Sequence, residues 1–289
     1  MDGGDVVQGY VGSTTNGFRE WEDPRERFAQ AFAQNEFLLY SQPVKKLGSG
    51  GDTRPRTEIY VRLKEEEQNV VPPGTFLPRL EHYKLGPTLD QHVLRRALAW
   101  HRSHQRQVGF ILHINLCRGT LIDLEFPSLV VAELETAGRG GDSLCFEIPG
   151  IDGPSDPVTH EFAKRLKAAG CSIAVGVDHP GGVTFRPAKD FAADFMKIGA
   201  GLTRNLVGNI GSVAKLRSLT RACRTFGIQT VAQHVEDRDT LMMLGDLGFD
   251  YAQGYEISRP APMEDSPATF PQGAAPLPPA GRGCYLVLR

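Results

Sequence analysis

The stretch Phe110-Ile-Leu-His-Ile-Asn-Leu116 packs five apolar side chains into seven residues and sets Asn115 near its downstream end. A run this short and this apolar reads as a strand buried on both faces, the habit of a parallel sheet. Working outward, the same kind of run recurs at Phe37-Leu-Leu-Tyr40, Ile59-Tyr-Val61, Leu144-Cys-Phe-Glu-Ile148, Ser172-Ile-Ala-Val175 and Thr230-Val-Ala232. Amphipathic stripes lie between them: Leu89, Val93, Ala97 and Leu98; Phe162, Leu166 and Ala169; Val213, Leu216, Leu219, Cys223 and Phe226. Strand followed by helix, repeated over roughly 240 residues, predicts an α/β fold with a parallel sheet, and closure into a (β/α)₈ TIM-like barrel suits the length. Periodicity alone leaves an open doubly wound sheet as the alternative. The chain has no Gly-x-Gly-x-x-Gly after a strand and no Walker loop, which weakens that alternative.

Composition narrows the function classes. A chain of 289 residues with 40% hydrophobic content can bury one large core. Its 32 Lys and Arg against 34 Asp and Glu provide no basic field for a polymeric nucleic acid, while a small anionic ligand remains compatible. The five cysteines, Cys117, Cys145, Cys171, Cys223 and Cys284, form no Cys-x-x-Cys pair and read as reduced thiols filling the core. No apolar stretch approaches the ~20 residues that span a bilayer, and the N-terminus lacks a signal-peptide pattern, so the expectation is a soluble cytoplasmic protein off the membrane. The Gly-, Ser- and Asn-containing residues 1–22 read as a flexible lead-in, residues 23–263 as the barrel domain, and the Pro/Ala/Gly-rich residues 264–289 as a flexible tail.

The polar residues of interest share a placement at the downstream ends of the strand runs: Gln42, Glu58, Asn115, Glu147, Lys197, Glu236 and Gln253. In a (β/α)₈ barrel that is the active-site face. One Glu at a strand end is most often a surface or capping residue, whereas several at successive ends point to a site. His101 and His104 lie at helical spacing away from those ends and read as surface residues.

Tyr40-Ser-Gln-Pro-Val44 and Glu58-Ile-Tyr-Val-Arg62 resemble the opening motifs of the EAL family of cyclic di-GMP phosphodiesterases, Tyr-x-Gln-Pro-Ile and Glu-Ala-Leu-x-Arg. Leu89-Asp90-x-x-Val93-Leu94, Ile114-Asn115-Leu116, Phe146-Glu147-Ile148, Lys197-Ile198, Val231-Ala-Gln-His-Val-Glu236 and Gln253-Gly-Tyr255 follow in the family's order. The resemblance implies an EAL-type barrel that hydrolyses cyclic di-GMP with water held between two Mg²⁺ or Mn²⁺ ions. It makes Glu58, Asn115 and Glu147 metal ligands and Lys197 a catalytic partner of the attacking water. It makes Gln42, Glu58, Arg62, Asp90, Glu236 and Gln253 contacts of the ligand.

Departures from the pattern shape the functional expectation. Gly176 and Val177 stand at the family's Asp-Asp pair, Gly199 at the Asp after Lys-Ile, and Gln233 at the first Glu of Glu-Gly-Val-Glu. Four carboxylates are missing from a centre that must neutralise two dications. The expected protein is therefore a degenerate EAL domain, inactive or weak as an enzyme. It would bind cyclic di-GMP as a receptor or regulatory module, with no cofactor, and Mg or Mn only if residual phosphodiesterase activity exists. A protein-interaction scaffold, with a protein partner or as a homodimer, is one alternative, and a residual phosphodiesterase is the other. Asp178 could replace one ligand only if the strand end were displaced, and His179 with His234 could join Glu58 and Glu147 in a mixed metal site.

Overall fold

The structure, a computed structural model, describes residues 21, 23–48, 52–66, 69–103, 109–149, 156–177, 185–204 and 206–265. In chain order the elements are α1 (Pro24–Ala33), β1 (Phe37–Lys46), β2 (Arg56–Glu66), β3 (Asn69–Val71), α2 (Pro73–His82), α3 (Gly86–Ser103), β4 (Ile111–Asn115), α4 (Phe126–Ala137) and β5 (Leu144–Ile148). They continue with α5 (Pro157–Ala168), β6 (Ser172–Val177), α6 (Arg186–Asp190), β7 (Phe195–Ile198), α7 (Ala200–Thr203), α8 (Ile210–Thr225), β8 (Gln229–Ala232), α9 (Arg238–Asp246), β9 (Tyr251–Ala252) and β10 (Ala261–Pro262). Side-chain caps start several helices: Asp23 accepts from the Arg25 and Glu26 amides with Pro24 next in line, and Asp156 accepts from the Val158 and Thr159 amides before α5.

Strands β2, β4, β5, β6, β7, β8 and β9 pair in parallel, and β1 closes the ring between β2 and β9. The result is an eight-stranded α/β barrel of the expected TIM-like class. One element differs from a fully parallel sheet: β1 runs antiparallel to both neighbours, with Gln42 opposite Glu58 and Lys45 opposite Ala252. The nine residues between Lys46 and Arg56 suit a hairpin, since a parallel return needs a crossover of a dozen or more residues. Gln42 therefore lies mid-strand, and register with Glu58 rather than a strand end brings it to the site.

Two layers of apolar side chains build the core. Outward-facing residues such as Ile59, Leu63, Leu112, Ile114, Phe146, Ile173 and Met196 pack under the helices, whose stripes at Leu89, Val93, Ala97 and Leu98 are buried. Inside the barrel, Val44, Ile111, Cys145, Ala174, Phe195, Val231 and Tyr251 form a plug. The Arg56 guanidinium joins it, 4.8 Å from the Phe195 ring centroid and 5.1 Å from that of Tyr251. The mouth above this plug is left to polar residues.

Cys117, Cys145, Cys171 and Cys223 are free thiols and all buried. His101 corrects the surface reading: it is buried, with Nε2 3.0 Å from the Phe110 carbonyl oxygen, because its place on α3 faces the entry to β4. Trp21, within the expected lead-in, packs edge-on against Phe28 at 5.2 Å. At the other boundary, Met263–Asp265 forms a short 3₁₀ turn that buries Met263 and sets Glu264 3.5 Å from Arg96. The rest of the lead-in and tail, together with His104, Asp178, His179 and Cys284, lies outside the described residues. Among the described residues no helix is long and apolar enough to cross a membrane.

Candidate functional site at the barrel mouth

Strand alternation directs Glu58 and Arg62 of β2, Asn115 of β4, Glu147 of β5, Gly176 of β6 and Lys197 of β7 toward the same interior. Lys197 is fully buried and its ammonium sits between two carboxylates, 2.6 Å from Glu58 Oε2 and in contact with Glu147 Oε2. Asn115 Nδ2 donates to the other Glu58 oxygen at 2.8 Å. Burial opposes the charge on Lys197, but the Glu147 and Glu58 carboxylates outweigh it and hold the ammonium well above its ordinary pKa. The four residues that the family pattern groups at the metal centre thus form one connected cluster.

Of the positions that the sequence pattern sets against the family's further carboxylates, Gly176 borders this cluster. Gly176 pairs with Lys197 across β6 and β7, and a Cβ there would meet only Glu147 Oε1, at 3.5 Å. Val177 faces the other way, packed against the outer core. Gly199 and Gln233 follow β7 and β8, tied by their amides to the Val177 and Ile198 carbonyls. His234 takes the left-handed conformation, φ 57°, at the position where the family has glycine. Among the described residues no group of three His, Cys, Asp or Glu side chains is placed to hold a metal ion.

The residues expected to contact the ligand divide. Arg62 stacks on Tyr40, 4.6 Å from the ring centroid, its Nε is buried, and it has no carboxylate partner among the described residues. Gln42 and Gln253, both 2% exposed, are joined through the Tyr60 hydroxyl at 3.2 Å on each side. Gly254 lets the chain after Gln253 run against Val235, where any Cβ would stand 2.1 Å from the carbonyl oxygen. Glu236, in contrast, is exposed and reaches Arg204 at 3.4 Å.

Asp90 is held by the chain that follows β4. It is 2% exposed on α3, and its Oδ2 accepts from the Cys117 amide at 2.7 Å and the Thr120 hydroxyl at 2.6 Å, so it anchors the 3₁₀ turn that follows Asn115. Burial pushes its carboxyl up to about 7 against the pull of those two donors. These bonds give the Asp90 carboxylate a structural role in the wall of the barrel, which the sequence pattern does not show. Two neighbours went unnoticed in the sequence. Tyr60 was hidden because a tyrosine in an apolar run reads as strand filler. His113 sits inside the barrel opposite Glu58, fully buried, with neither ring nitrogen partnered among the described residues. Burial, with the charges of Lys197 and Arg56, keeps its imidazole well below the ordinary histidine pKa.

The EAL domain family model matches residues 25–260. The chain belongs to the EAL domain family. Cyclic di-GMP phosphodiesterase PdeB of Shewanella oneidensis is 30% identical over 239 residues, which is 82% of this chain and 28% of that protein. Cyclic di-GMP phosphodiesterase PdeF of Escherichia coli is 27% identical over 242 residues, 83% of this chain and 32% of that protein. This EAL domain chain therefore spans about a third or less of these curated relatives. Among solved structures, the PaMucR phosphodiesterase in complex with c-di-GMP superposes with a TM-score of 0.74 at 22% identity, covering 83% of this chain and 98% of that one. The Xanthomonas citri FimX EAL domain in complex with c-diGMP gives 0.72 at 22% identity, covering 83% and 93%. At that identity the two structures bear on the fold alone.

Proposed function

We propose that this EAL domain is a degenerate member that binds cyclic di-GMP at its barrel mouth, as a receptor or regulatory module with little or no phosphodiesterase turnover. The observation that carries the proposal is the buried Lys197 ammonium lodged between Glu58 and Glu147. The family's hydrolysis draws on two divalent ions, and each such ion wants several hard oxygen ligands. The residues present do not fit that pair. Both carboxylates already share an internal cation, and Gly176, Gly199 and Gln233 add no charge beside them.

What the mouth does offer suits an anion with hydrogen-bonding bases. The Glu58 and Glu147 charges are offset by Lys197 and Arg62, so a phosphodiester approaching the mouth meets less repulsion than four further carboxylates would produce. Arg62 has a planar fork for phosphate oxygens, and Gln42 and Gln253 provide amides for polar edges. Glu236, at the exposed rim, is a further candidate contact. A residual phosphodiesterase is the second reading, favoured by the retention of Glu58, Asn115, Glu147 and Lys197 in one cluster.

Calorimetric titration with cyclic di-GMP in EDTA, repeated with Mn²⁺ and followed by chromatography for linear dinucleotide, tests both. Binding in EDTA without product supports the receptor. Turnover near or above ~1 per second with Mn²⁺ would overturn it in favour of the enzyme. No heat at about a hundred micromolar ligand, a concentration at which even weak specific sites register, would remove the nucleotide and leave a protein-interaction scaffold.

A further inference from the structure

The third residue of the family's name-giving motif is leucine, and here it is Tyr60. That change places a hydroxyl between two buried glutamines, Gln42 of β1 and Gln253 just past β9, where the barrel closes. Gln42 Nε2 donates to the Ser258 carbonyl at 2.8 Å, Tyr60 Oη donates to Gln42 Oε1 at 3.2 Å, and Gln253 Nε2 donates to Tyr60 Oη at 3.2 Å. The order of these bonds follows from one fixed end. A backbone carbonyl can only accept, so Gln42 must turn its NH₂ to Ser258 and its oxygen to Tyr60. The phenol must then give its single proton to Gln42, which leaves only its lone pairs for Gln253. Gln253 is forced to spend its NH₂ on Tyr60 and keeps its carbonyl oxygen.

That last oxygen is where the chain of bonds ends. Gln253 Oε1 is buried and has no partner among the described residues. A buried acceptor left in this state calls for a donor from outside the protein. We propose that Tyr60 is a positioning residue that sets the direction of this relay, so that Gln253 Oε1 is presented to an N–H donor on the base of the bound nucleotide. The inference rests on the reading of the mouth as a cyclic di-GMP site, and it names guanine N–H groups as what the acceptor takes. With leucine at position 60 the Ser258 carbonyl would still hold Gln42, but the Gln253 amide would be free to turn and would offer donor and acceptor alike.

The test uses the whole chain and two readouts. In the ligand-free protein, the side-chain amide cross-peaks of Gln253 in a ¹H–¹⁵N spectrum should move on Tyr60→Phe, which removes the hydroxyl and keeps the ring. Cyclic di-GMP affinity in EDTA should fall about tenfold in the same variant, the effect of one hydrogen bond. In a Gln253→Ala background Tyr60→Phe should cost nothing further, because both changes break the same relay. Tyr60→Leu, which restores the family's residue, should match Tyr60→Phe. Unmoved Gln253 peaks would overturn the relay, and moved peaks with affinity within about twofold of wild type would overturn the positioning role. Wild type that shows the amide response but no binding would instead sink the cyclic di-GMP reading, and the presentation of an acceptor to a base with it.

Discussion

Lys197→Met isolates the electrostatic core of the site. Methionine fills much of the lysine's volume in a position with no solvent exposure, so the change removes charge with little cavity. It strips the only described cation in contact with the Glu58 and Glu147 carboxylates, whose side chains are 3% and 16% exposed. Deleting one member of a buried ion network leaves uncompensated charge behind and costs about 3–5 kcal/mol. For a domain of this size that lowers Tm by roughly 10 °C. The lysine's own contribution does not vary over the ordinary pH range: its folded pKa lies above its free value of 10.5, so its stabilisation is complete below 10.5 and fades only as pH climbs through the raised value. The variant's carboxylates can escape only by taking up protons, so its deficit should shrink as pH falls. Urea and thermal unfolding of both proteins across pH provide the measurement. A loss under about 1 kcal/mol at neutral pH, or one indifferent to pH, would show that the three charges are not coupled.

Other perturbations follow from the same geometry. Arg62→Ala should weaken cyclic di-GMP binding by roughly 2 kcal/mol, about thirtyfold, because a phosphate held at the mouth would lose a charge-assisted partner; an unchanged calorimetric Kd would place the phosphate elsewhere. His234→Gly should stabilise the fold by about 0.5–1 kcal/mol, since φ 57° strains a residue with a Cβ and the gain exceeds glycine's extra chain entropy. Net destabilisation in denaturant titrations would mean that the contacts of the imidazole outweigh the strain. Asp90→Asn keeps an acceptor for the Cys117 and Thr120 donors while removing a charge. With the folded carboxyl raised to about 7 from 3.8, wild-type stability from this group is full below 3.8 and declines as pH rises through 7. The variant should therefore lose that decline between pH 4 and 8, and an unaltered slope would refute the buried-carboxylate argument.

Much of this architecture is written locally. Apolar runs such as Phe110–Leu116 and stripes such as Leu89, Val93, Ala97 and Leu98 mark strands and helices because side-chain direction repeats every 2 or 3.6 residues, whatever the rest of the chain does. The motif order from Tyr40-Ser-Gln-Pro-Val44 to Gln253-Gly-Tyr255 identified the family, and the residue types at 176, 177, 199 and 233 raised the question of metal. Asp90 and His101 show the limit of that reading. Both lie on α3, whose pattern names the apolar face but not which polar residues a neighbouring loop will cover.

The tertiary structure alone decided the direction of β1, the register that sets Gln42 opposite Glu58, and the meeting of Lys197 with residues 139 and 50 positions away in the sequence. Tyr60 belongs with these. Its hydroxyl matters only because ring closure brings Gln42 of β1 and Gln253, just past β9, to either side of it. The physical reason is common to all of them: a local pattern specifies which face of an element is apolar, whereas what stands across a closed barrel depends on strand order, register and the last pairing that shuts the ring.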